Sequence, residues 1–220
     1  MSKYGDPSDY WDADTKPPEG LDQAMQPLLD LGGRLTRAGK NTMVITPDHR
    51  IQVGYVFPHW SWPSWRVIVY DEPFDQPFWG AHFNRNTPVE VVAAFTATLA
   101  RLHRENHPLF DDWDTADPAT ALSGLADAGW QKSPGEPTCR FNYRAANGDS
   151  AMARCNRLAG RAVDPFQSGQ DGRWDIDGRT DGHFWSISVS AAAPAPVVTS
   201  LVDAVARSFN APNILLPVLR

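Results

Sequence analysis

Cysteine is scarce in this chain: Cys139 and Cys155 are the two among 220 residues. Two thiols make no disulfide framework, and their spacing is not that of a zinc site. Long apolar runs are missing as well. Nothing approaches the roughly 20 apolar residues that span a bilayer, and the opening MSKYGDPSDYWDADTKPPEG lacks the apolar core of a secretion signal. The expectation is a soluble, cytoplasmic protein with no membrane partner. Motifs of catalysis are also absent. There is no Gly-x-Ser-x-Gly elbow, no Walker glycine loop and no Gly-x-Gly-x-x-Gly. Ser, His and Asp occur without an ordered arrangement, so no catalytic residue and no cofactor is assigned, and the chain is read as a non-enzyme.

What is present belongs to a globular protein. Hydrophobic residues make up 42% of the chain, with nine Trp and ten Phe, which excludes wholesale disorder. The net charge of −6 opposes indiscriminate binding to nucleic acid. Much of that charge is local: residues 1–26 hold six acids against Lys3 and Lys16, and the remainder is nearly balanced, with 20 acids and 18 bases. Residues 1–26 therefore read as an acidic, disordered tail, either simply solvated or laid over a basic face.

One pattern occurs twice. Phe78–Leu102 reads as a strand, a helix start and an amphipathic helix, and Phe184–Ser208 follows the same plan. Phe78-Trp79 matches Phe184-Trp185, Pro88 matches Pro194, and Arg101 matches Arg207. Trp79, Ala81 and Phe83 alternate onto one strand face, as do Trp185, Ile187 and Val189. Val92, Phe95, Leu99 and Leu102 recur at helical spacing, as do Val198, Leu201, Val205 and Phe209. Thr87 with Glu90 forms the pattern of a capping box, with Pro88 at the first helical position. The spacing of matched positions grows in order, from 97 residues at Leu28/Leu125 to 106 at Phe78/Phe184, as insertions into a duplicated unit produce.

Between these landmarks the elements follow one another twice. Pro27 to Gly33 reads as a short helix, then Thr42–Thr46 and Ile51–Phe57 as a hairpin about Pro47-Asp48-His49-Arg50, then strands at Trp65–Tyr70 and Phe78–Asn84. The second round opens with a helix after Asp117-Pro118, followed by strands near Thr138–Arg144 and Ser150–Leu158 about Asn147-Gly148. Gly160–Gly182 reads as a looser region holding a third strand at Trp174–Asp177, and His183–Ser190 is the fourth. The predicted fold is α+β: two pseudo-repeats, 27–108 and 109–220, each a short helix, a four-stranded antiparallel sheet and one long helix. That order is the one found in Whirly-type single-stranded DNA-binding proteins, an analogy of fold alone.

Ile45-Thr46-Pro47-Asp48-His49-Arg50-Ile51, Trp79 and Asn86-Thr87-Pro88-Val89-Glu90-Val91-Val92-Ala93-Ala94-Phe95 together resemble the actinobacterial SPDY family. This is a domain of unknown function, commonly present twice in one protein. The resemblance covers 27–104 well and 118–209 loosely, where Ala-Asn-Gly-Asp replaces the Thr-Pro-Asp turn. It implies a tandem of two such domains and brings no assigned functional residues.

Several groups invite a chemical reading. His103 and His107 lie four apart at a helix end, half of a metal site with Asp111 or Asp112, yet that position also suits solvated histidines facing a helix dipole. Asp175-Ile176-Asp177-Gly178-Arg179-Thr180-Asp181 lacks the terminal Glu of a calcium loop and reads as a polar, Gly-rich loop. No metal site is expected. Trp60, Trp62 and Trp65 fall within six residues and are suited to stacking on nucleobases or to covering a sheet face. If the second hairpin turns through Ala146-Asn147-Gly148, Cys139 opposes Cys155 on one face and Arg140 opposes Arg154 on the other, with Arg144 and Arg157 nearby. Facing arginines repel unless an anion lies between them: a neighbouring carboxylate such as Asp171 or Asp175, or a phosphate backbone. The favoured function is a non-catalytic binding module for DNA, single-stranded if the Whirly analogy holds, through Arg140, Arg144, Arg154, Arg157, Trp60 and Trp62. The alternative is a protein-interaction or chaperone-like adaptor, and a homo-oligomer is compatible with either.

Overall fold

In the computed structural model, residues 18–57, 64–73, 75–109, 118–132, 139–144, 149–155, 174–180 and 182–210 are described. The first half of the chain runs α1 (Leu21–Leu29), β1 (Arg34–Ala38), β2 (Asn41–Ile45), β3 (Ile51–Val56), β4 (Ser64–Tyr70), β5 (Pro77–Asn84) and α2 (Val89–Arg104). The second half runs α3 (Pro118–Ala121), α4 (Ser123–Asp127), β6 (Gln131–Lys132), β7 (Cys139–Arg144), β8 (Ser150–Cys155), β9 (Trp174–Thr180), β10 (His183–Val189) and α5 (Ala195–Asn210). The ten strands form one sheet in the order β1-β2-β3-β4-β5-β10-β9-β8-β7-β6. Every pairing is antiparallel. Read inward from either edge, the strands follow in chain order and meet at β5 and β10.

The four-stranded units expected from sequence are thus five-stranded, and they are parts of one sheet. The Whirly-type succession of four strands and a helix is not the order found. The unforeseen strands are the two edges. All five residues of β1 are exposed, so no burial imposes an apolar alternation on them, and β6 is only two residues long. The first helix also begins six residues before the expected start. Ala24, Met25 and Leu28 are its buried face, and Pro27 sits within its last turn. Residues 21–26 therefore belong to the folded body, not to the acidic tail.

Alternation decides which face each strand buries. Trp65, Val67 and Val69 of β4, Trp79, Ala81 and Phe83 of β5, and Trp185, Ile187 and Val189 of β10 are all in the core. Onto this face the helices lay their stripes. Val92, Phe95, Leu99 and Leu102 of α2, and Val198, Leu201 and Val205 of α5, are at most 1% exposed. Phe209 completes the second stripe from a partly buried place, its ring 5.8 Å from Trp130 and 5.7 Å from Trp185. Trp79 and Trp185 occupy corresponding places, as the matching of Phe78 with Phe184 requires.

The seam between the halves is short in strand pairing and rich in side-chain bonds. Only Ile187/Phe83, Ser188/His82 and Val189/Ala81 face each other in register. Beyond them the fully buried Ser190 hydroxyl donates to the Gly80 carbonyl (2.9 Å) and accepts from the Gly80 N–H (3.1 Å). At the other end Asn86 Nδ2 donates to the Phe184 carbonyl at 2.8 Å. Thr87, expected to cap α2, makes no cap bond; Pro88 holds the cap position. The Thr87 hydroxyl instead lies 3.3 Å from the Ser186 carbonyl, across the seam. On the helix layer Thr98 Oγ1 donates to Ser200 Oγ at 2.8 Å, tying α2 to α5.

Two local expectations are resolved by side-chain contacts, one tertiary and one local. The supposed Gly-rich loop at Asp175–Thr180 is part of β9, paired along its length with β10. Gly178 is there because the Trp185 indole fills the space a Cβ would need. The Thr46-Pro47-Asp48-His49 turn is held by its own side chains: the Thr46 hydroxyl donates to Asp48 Oδ1 at 2.6 Å and accepts from the Ile51 N–H at 3.1 Å. His49 adopts φ 60.

Candidate nucleic-acid interface

The clustered core residues of the strands face the helices; the other face carries none of the described helices, and Ile68 of β4 is the hydrophobic residue buried on it, at 5% exposed. The register places one row of side chains across its centre. Arg66 of β4 is opposite His82 of β5, which is opposite Ser188 of β10; Ser188 is opposite Asp175 of β9, then follow Arg154 of β8 and Arg140 of β7.

The expected second hairpin register is the one found: Cys139 faces Cys155, Phe141 faces Ala153, and Arg140 faces Arg154. Cys155 is fully buried, and Phe141 and Ala153 share its buried face. The side chains of Cys139 and Arg144 lie outside the described residues, as do Trp60, Trp62 and Arg157. Trp65, the third aromatic of that stretch, is fully buried on the helix-facing side.

A carboxylate meets one of the facing arginines, Arg154. Asp175, only 3% exposed, lies 3.3 Å from Arg154 Nε and accepts a 2.7 Å hydrogen bond from the Ser188 hydroxyl. A buried carboxylate needs such partners, because an unpaired charge there is costly. Arg140 turns aside, with Nε and Nη2 at 2.8 and 2.6 Å from Met152 Sδ. Of the two origins considered for a neutralising anion, the protein supplies one itself in Asp175, which meets Arg154 from the strand on the side away from Arg140.

At the middle of the row, His82 is partly buried between strands. Burial, and then the Arg66 guanidinium, push its imidazole down to about 4, so it is neutral near pH 7. The centre of the open face is thereby a neutral imidazole and a hydroxyl, flanked by Arg66 on one side and by the Asp175–Arg154 pair on the other.

The sequence reading missed the most accessible features of this face. Phe184 is 52% exposed and is directly opposite Arg179, itself exposed and without an ion pair among the described residues. Arg179 is in turn opposite Ser150, and Ser150 opposite Arg144. The alternation that buries Trp185 does turn Phe184 outward, so its placement was legible. Arg179 was hidden by reading Asp-Gly-Arg-Thr as a loop. Phe78 lies on the same open face but is partly buried.

The His103/His107 pair is not brought together on a metal. His103 Nε2 is 3.3 Å from Asp48 Oδ2, and His107 has left the helix and turns to the Pro108 carbonyl. Burial pushes the Asp48 carboxyl up, but the Thr46 and Arg50 hydrogen bonds with the His103 and Arg50 charges hold it below its usual value. No cluster of three metal-ligating side chains occurs among the described residues. Nor is any helix among them long and apolar enough to cross a membrane.

No curated protein and no solved structure matches the chain. Residues 45–104, from the last residue of β2 through the end of α2, match the family model of SPDY, a domain of unknown function (DUF317).

Proposed function

We propose that this chain is a non-catalytic DNA-binding module that takes a single strand onto the open face of its second half. The observation that carries this is Phe184, exposed beside Arg179 on a sheet face where Arg140 and Arg154 also lie. An aromatic ring beside a guanidinium group offers a base a stacking surface and its phosphate a charge partner. Asp175 balances Arg154, which moves the contact away from the Arg140–Arg154 pair and towards Phe184 and Arg179. We also propose that residues 109–220 form a second SPDY-like unit, since helical segments, five strands and a long helix follow one another in both halves.

The test is fluorescence anisotropy with a labelled oligothymidine and a labelled duplex at two salt concentrations. Binding should weaken steeply with salt, as phosphate contacts release counterions. Phe184→Ala should weaken binding to the single strand by about 5- to 150-fold, the equivalent of about 1–3 kcal/mol for one stacked base. Unchanged affinity in Phe184→Ala and Arg179→Ala would refute the site. A protein partner is the second reading, favoured by the apolar first half of the same face, where Met43, Ile45 and Val56 are partly exposed.

A further inference from the structure

The two edges of the sheet are unlike. β6 is a stub of two residues. β1 is five residues long, every one of them exposed, and among the described strands it pairs on one side only, with β2. Its other side presents a row of backbone N–H and C=O groups that no described strand satisfies, the arrangement that accepts an added strand. No bulge interrupts its register with β2, which runs without a break from Arg34/Ile45 to Ala38/Asn41.

Charge narrows what that strand can be. Residues 33–46 contain Arg34, Arg37 and Lys40 and no acid, on a chain whose net charge is −6. None of the three makes an ion pair among the described residues. Arg34 and Arg37 fall on opposite faces of β1, so an added strand meets a cation whichever face its side chains take. Leu35, 39% exposed, shares its face with the buried Val44 and adds an apolar contact that a facing aliphatic residue would cover.

From these observations we infer that β1 is a docking edge for an acidic, extended peptide of a partner protein, which adds to the sheet as an eleventh strand. The same cations work against a second copy of this chain, because two β1 strands side by side would bring four arginines into one five-residue ladder. Main-chain hydrogen bonds supply the affinity and the arginines select the sign of the partner. This edge is five strands from β10, which carries Phe184, and does not depend on the DNA-binding proposal.

The probe is a fluorescein-labelled, acetylated and amidated octapeptide of alternating Glu and Val, added to the full chain and followed by anisotropy. Saturable binding is expected, at least tenfold tighter than for the corresponding Lys/Val peptide. Arg34→Glu with Arg37→Glu should reverse that preference while leaving the urea midpoint unchanged, since both side chains are exposed. A Glu/Val peptide N-methylated at alternate residues keeps the charge but cannot complete the ladder, and should bind at least tenfold more weakly. Equal binding of the N-methylated peptide would reduce the contact to charge alone and overturn the inference. Absence of binding, or a dimer of the chain that the peptide fails to dissociate, would overturn it too.

Discussion

Gly178→Ala is the sharpest test of how the second half is packed. Gly178 pairs with Ala151 on one side and with Trp185 on the other, and its Cβ position is already taken by the six-membered ring of that indole. The ring has nowhere to go. Trp185 is 1% exposed, its N–H donates to Thr180 Oγ1 at 3.2 Å, and the Phe209 ring lies 5.7 Å away. Overpacking of this kind costs about 1–3 kcal/mol, and the immobile neighbour puts Gly178→Ala near the top of that range. Against it stands about 0.5–1 kcal/mol recovered because alanine is the better strand residue. The expected net loss is roughly 2 kcal/mol, read as a lowered urea midpoint with unchanged slope. Gly54→Ala is the control: its Cβ would meet the Thr42 carbonyl at 3.2 Å and no ring, so it should cost well under half as much. Replacing Trp185 by Phe should relieve Gly178→Ala, because the missing part of the indole is the part in collision. A cost below about 0.5 kcal/mol, or the same cost with Phe at position 185, would refute this account of β9 and β10.

His82 should give the protein an acid-sensitive step. Its imidazole titrates near 4 when folded and near 6.5 when unfolded, so the unfolded chain binds the extra proton. The associated stability is complete above about pH 6.5 and is lost as pH falls towards 4, on the order of 3 kcal/mol in all. Urea titrations across that window should show a steeper fall for the parent than for His82→Gln; parallel curves would rule it out. Ser190→Ala tests the seam: it strands the Gly80 N–H in the core, at about 1–3 kcal/mol. Amide exchange should quicken at β5 and β10 together, and quickening at β10 alone would mean that the two halves are not joined there.

Local chemistry settled much of this molecule in advance. Period-two alternation at Trp79, Ala81 and Phe83 fixed the buried face of β5, because a slip of one residue would expose all three. Helical spacing from Val92 to Leu102 fixed the face of α2 in the same way. The register of Cys139 with Cys155 followed from a hairpin centred on Asn147, and that register alone put Arg140 opposite Arg154. Tertiary structure decided what no local signal encodes. Edge strands such as β1 bury nothing and so show no pattern. Gly178 reads as a loop glycine until Trp185, seven residues on, is seen to occupy its side-chain space. Thr87 has the sequence of a cap, but its hydroxyl is shared between Asn84 Oδ1 and the Ser186 carbonyl, 99 residues away, each at 3.3 Å. The joining of β5 to β10, and with it the row from Arg66 through His82 to Asp175, depends on pairing residues more than 100 positions apart. Pairings of that kind are selected by the packing of the whole sheet against α2 and α5, which no short stretch of the chain contains.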